Sequence, residues 1–105
     1  MAEMNTIYDA SDNAIGIFRH GVAWLKSPRV KLGEYDDDFV YDIEGGVLAK
    51  FGGDEVLDMI GDTIGKISGK DLYVSGEKVG SFIGSKSAGA AAIVLLFSSY
   101  AVHRS

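Results

Sequence analysis

The chain has 105 residues, 47% of them apolar and 14 of them glycine, with one proline and a net charge of −5. The absence of cysteine excludes disulfides, Cys-based zinc sites and thiol catalysis. So many glycines disfavour a helical bundle, because each interior glycine costs a helix about 1 kcal/mol. The length fits a single domain spanning 1–105.

The first element expected is a hairpin. In "TIYDASDNAIGIF", residues 6–18, an apolar–aromatic pair precedes a polar knot at Asp9 to Asn13. A second apolar run with one glycine, Gly16, follows. Nothing before it has the basic and apolar regions of a secretory leader, so the expected location is cytoplasmic.

The same pattern then recurs along the chain. Ile15-Gly16-Ile17-Phe18 matches Leu32-Gly33-Glu34-Tyr35, Leu48-Ala49-Lys50-Phe51, Ile64-Gly65-Lys66-Ile67 and Val79-Gly80-Ser81-Phe82, at steps of 17, 16, 16 and 15 residues. The preceding strand recurs in register: Ile7-Tyr8-Asp9, Ala23-Trp24-Leu25, Val40-Tyr41-Asp42, Val56-Leu57-Asp58 and Leu72-Tyr73-Val74. The second copy has an extra residue near Pro28. Asp9, Asp42 and Asp58 each open a turn, where a carboxylate accepts backbone N–H groups. By parity, residues 15 and 17 share one face of their strand and 16 and 18 the other. The small residue then lies beside the aromatic ring, with room for a neighbouring ring or backbone, and the aromatic of one unit is expected to cover the small residue of the same or the next unit. The fold class expected is all-β: five tandem two-stranded hairpins of about 16 residues, spanning 6–84 and closing into a ring or barrel-like sheet.

The units "IYDASDNAIGIF", "FVYDIEGGVLAKF" and "DLYVSGEKVGSFIG" resemble the short repeats of bacterial β-flower proteins. In that family a tyrosine–aspartate–turn–aliphatic–glycine hairpin recurs around a central axis in fourfold organisation, whereas five units are counted here. The resemblance implies no catalytic residues.

The last element is the uncharged run 87–102, "SAGAAAIVLLFSSYAV". Ala88 to Ala92 favour helix, while Ile93-Val94 allow strand. The expected role is a buried segment that covers or plugs the hairpins. A membrane segment and a self-association surface are the alternatives, although sixteen helical residues span only about 24 Å of a roughly 30 Å hydrocarbon core.

Charge is concentrated in the middle. Residues 34–62 carry ten acids and only Lys50, while the flanking segments are net positive. Such a field repels nucleic acid and attracts a basic partner. The candidate partner-binding residues are Glu34, Asp36, Asp37, Asp38, Asp54 and Glu55. The acidic run lacks the ligand spacing of a calcium loop. "GDTIGKI" and "GSKS" lack the spacing of a phosphate loop, and His20 and His103 have no patterned acid or nucleophile. Trp24 fills the aromatic slot of its unit and is expected in or beside the core. No catalytic residue, cofactor or metal is expected. The functional expectation is a non-enzymatic binding protein that engages a basic protein through an acidic surface, of the inhibitor or immunity type. A membrane-associated or self-assembling protein using residues 87–102 is the alternative, and a carbohydrate-active enzyme the third.

Overall fold

A computed structural model describes residues 4–98. Residues 99–102 of the apolar run, and His103, lie outside the described residues. Ten antiparallel strands form a closed barrel. They are β1 (Asn5–Asp9), β2 (Ala14–Arg19), β3 (Val22–Leu25), β4 (Val30–Tyr35), β5 (Phe39–Tyr41), β6 (Val47–Gly52), β7 (Glu55–Asp58), β8 (Thr63–Ser68), β9 (Asp71–Val74) and β10 (Glu77–Ile83). Each strand pairs with its neighbours in the chain, and β10 pairs with β1 to close the sheet without an exposed edge. A helix α1 (Lys86–Ala92) follows and continues as a π-helical turn (Ile93–Phe97). No helix among the described residues is long and apolar enough to cross a membrane.

The aliphatic–small motif marks a β-bulge in every hairpin. In β1–β2, Ile7 faces Gly16 and Tyr8 faces Ala14, so Ile15 is the extra residue. The same register shift leaves Leu32, Leu48, Ile64 and Val79 extra in the following hairpins. A bulge breaks the period of two. Simple alternation places Ile15 outward with Ile17; instead Ile15, Leu48, Ile64 and Val79 all pack against the core.

The turns also repeat a physical solution. One oxygen of Asp9 accepts N–H groups from Ser11 and Asn13, at 2.9 and 3.0 Å. Asp42 does the same for Glu44 and Gly46, and Asp58 for Ile60 and Asp62. The fourth turn residue has positive φ, at Asp12, Gly45 and Gly61. These turns lie at one end of the barrel, here the lower end. The turns that join successive hairpins lie at the upper end, where the chain also enters α1.

The apolar run is helical over its described part, and Ala88 to Leu96 are buried. A barrel of more than eight strands is too wide for its own side chains to fill. Here α1 and the π turn occupy the lumen, by an exchange of sizes between wall and helix. Towards the upper end the wall is large (Phe18, Tyr35, Ile67, Phe82) and the helix is alanine and glycine. A β-carbon on Gly89 would lie 2.9 Å from the Phe82 ring. One layer deeper every second strand is small, at Gly16, Gly33, Ala49, Gly65 and Gly80, and the helix is large. Leu96 meets Gly16, Leu95 meets Gly33, Ile93 meets Gly65 and Phe97 meets Gly80. The helix starts at Ser85, whose side chain accepts the Ala88 N–H, and Ser98 Oγ donates to Val94 O at its end.

Candidate functional site

Because the lumen is filled, the candidate surfaces are external. The upper end brings together the six acidic residues singled out above, on neighbouring strands and turns. Asp36, Asp37 and Asp38 form the β4–β5 turn. Asp54 lies in the next turn of that rim, before β7, and Glu55 begins β7. Their surroundings differ. Glu34, on β4, pairs with Lys31 at 2.8 Å. Glu55 pairs with Lys66 at 3.6 Å. Asp54 pairs with Lys86, at the start of α1.

Asp36 shapes the turn. Its Oδ1 accepts the N–H groups of Asp38 and Phe39, at 2.9 and 2.7 Å, and its Oδ2 accepts the Tyr41 hydroxyl at 2.7 Å. These bonds, the Asp38 N–H first, hold the Asp36 carboxyl below its ordinary range. The hydrogen bond to Asp36 raises the Tyr41 hydroxyl in turn. Asp37 and Asp38 are exposed, and among the described residues neither side chain takes part in a hydrogen bond or ion pair. Their charge faces solvent uncompensated.

A second relationship was legible only in part. The variable residue after each small position faces the outward residue that opens the next hairpin: Ile17 faces Trp24, Glu34 faces Tyr41, Lys50 faces Leu57, Lys66 faces Tyr73 and Ser81 faces Tyr8. Trp24 is half-buried on this outer belt. A groove of about 710 Å³ runs along β8 on this belt, lined among others by Glu55, Thr63, Lys66, Tyr73 and Ser75. Lys66 and Tyr73 carried no signal beyond their repeat positions, and only the pairing across hairpins reveals them as neighbours.

Among the described residues no group of three or more His, Asp or Glu side chains is placed to hold a metal ion. No family model, curated protein or solved structure matches this chain.

Proposed function

We propose that the protein is a non-enzymatic binding protein that engages a basic protein through the acidic upper end, in the manner of an inhibitor or immunity protein. The observation that carries this reading is the β4–β5 turn. There Asp36 is committed to shaping the backbone, while Asp37 and Asp38 project unpaired, one turn along the rim from Asp54 and Glu55. Charges held on a rigid rim steer an oppositely charged partner and raise its association rate. The burial of Ala88 to Leu96 inside the barrel favours this over a self-assembling role for that segment.

The scaffold is read as five copies of one bulged hairpin. Equivalent bulges and the shared Asx turns of Asp9, Asp42 and Asp58 support that count. The same units carry the β-flower resemblance.

Affinity capture from the native host, with wild type and Asp37→Lys/Asp38→Lys side by side, tests the proposal. Wild type should retain a basic protein that is released as ionic strength rises, and the variant should lose it. Retention by the variant at wild-type level refutes this assignment of the surface.

A further inference from the structure

The lower end of the barrel carries a different feature. The shared Asx turn presents its second and third residues to solvent. In the β1–β2 turn these are Ala10 and Ser11; in the β7–β8 turn they are Met59 and Ile60. The backbone hydrogen bonds of the two turns are the same, so the fold does not require large apolar groups there. Yet Met59 is 52% and Ile60 86% exposed. On the adjacent β5–β6 hairpin, Ile43 and Val47 are 56% and 43% exposed. Val47, Leu48, Met59 and Ile60 line one groove of about 250 Å³ between the hairpins. Large apolar side chains clustered on neighbouring tips mark an interaction surface, whereas single ones do not.

The rim decides what fits. Glu44 and Asp62 stand exposed on the same two turns, beside Asp42 and Asp58, which hold the turn backbones through Oδ1 alone and leave Oδ2 to a partner. None of the four forms an ion pair among the described residues. A second copy of this chain would bring two such rims together, and an anionic lipid surface would be repelled. The complement is a cationic segment with apolar anchors. We infer that the tips of β5–β6 and β7–β8 form a docking surface for a basic peptide segment, whose aliphatic side chains enter the groove of Val47, Leu48, Met59 and Ile60 and whose Lys or Arg residues meet the four carboxylates. This surface lies at the opposite end from Asp36 to Asp38, and the two assignments stand or fall separately.

The test is titration of the full chain with a synthetic amphipathic Lys–Leu peptide, read by fluorescence anisotropy of the labelled peptide. Binding should weaken about tenfold or more in Met59→Ser/Ile60→Ser, weaken with added salt, and survive Asp37→Lys/Asp38→Lys. Ile60→Ser alone should show a smaller loss, and both serine variants should keep the wild-type unfolding midpoint, because these side chains are exposed. Equal binding by wild type and the double serine variant overturns the inference. So does dimerisation of the wild type that the serine variant abolishes, or binding to neutral lipid vesicles that it abolishes.

Discussion

Ile93 packs onto Gly65 so closely that a β-carbon on residue 65 would lie 2.7 Å from its Cγ2 and 2.5 Å from the Tyr73 carbonyl oxygen. The second of these neighbours is backbone of the next strand and cannot swing aside. Gly65→Ala should therefore destabilise the barrel by about 1–3 kcal/mol, the usual cost of overpacking. Gly16→Ala should cost less, because its nearest neighbour, at 3.0 Å, is the flexible end of Leu96. Gly52→Ala, with nothing within 4 Å, should stay within about 0.5 kcal/mol of wild type. Urea denaturation of the three variants ranks them. Equal stability of the Gly65 and Gly52 variants would show that wall and helix are not in close register.

Truncation after Lys86 removes the buried residues Ala88 to Leu96 and leaves a wide lumen lined by Phe18, Leu32, Val56 and Phe82. The remaining strands should keep much of their far-ultraviolet dichroism but lose cooperative unfolding and bind a hydrophobic dye, as loosely packed states do. A sharp calorimetric transition in the truncated chain would mean that the sheet supports itself without the helix.

The hairpin units and the role of Asp9, Asp42 and Asp58 were legible because they depend on local chemistry: alternation, turn carboxylates and small residues. Bulges were not. Ile15 and Gly16 read as residues on opposite faces, and only the pairing with Ile7 and Tyr8 shows an extra residue between them. The small positions were expected to receive an aromatic ring of their own or the next hairpin. Phe18 does approach Gly16. At Gly33, Gly65 and Gly80, however, the close neighbours are a strand carbonyl and a side chain from the far C-terminal segment. No pattern within one unit encodes a partner that far along the chain. The acidic rim was legible as a charge run. Asp36 read as equivalent to Asp37 and Asp38, and the difference between a turn-forming carboxylate and two free ones appears only in three dimensions.

Asn5 pins the point where the chain turns into the barrel. It is 1% exposed, donates to Phe18 O at 2.9 Å and accepts the Ser85 N–H at 2.8 Å. Gly84, at φ 130°, passes directly against it. Asn5→Ala strands both backbone groups and should cost about 1–3 kcal/mol. Each kcal/mol lowers the melting temperature by roughly 4–8 °C in a domain of this size. Asn5→Asp keeps an acceptor for Ser85 and has a donor for Phe18 O only while protonated, so it should fall between Asn5→Ala and wild type at low pH and lose stability as the buried carboxyl ionises. Thermal unfolding, with amide exchange at Ser85, checks the account. Unchanged protection at Ser85 in Asn5→Ala would remove Asn5 from this role.

The Asp36–Tyr41 pair gives the barrel two pH limbs of opposite sign. In the unfolded chain Asp36 titrates near about 3.9. In the folded chain the N–H of Asp38, then the Tyr41 hydroxyl, then the N–H of Phe39 hold it lower. The unfolded state thus takes up the proton first. The stability from this carboxylate is present above about pH 4 and is lost as pH falls through the folded value. Tyr41 behaves in the reverse sense. Its proton is held by the hydrogen bond to Asp36, so it ionises above its ordinary value of about 10. Its contribution is present below pH 10 and is lost as pH rises through the folded value. Carboxyl-carbon NMR should show Asp36 titrating low, alongside Asp9, which the Asn13 N–H chiefly holds down. In Asp36→Asn the tyrosine should return towards its ordinary value and the acid limb should shrink. A Tyr41 titration indifferent to Asp36→Asn would break the link between the two residues, and with it the account of how Asp36 is set apart from Asp37 and Asp38.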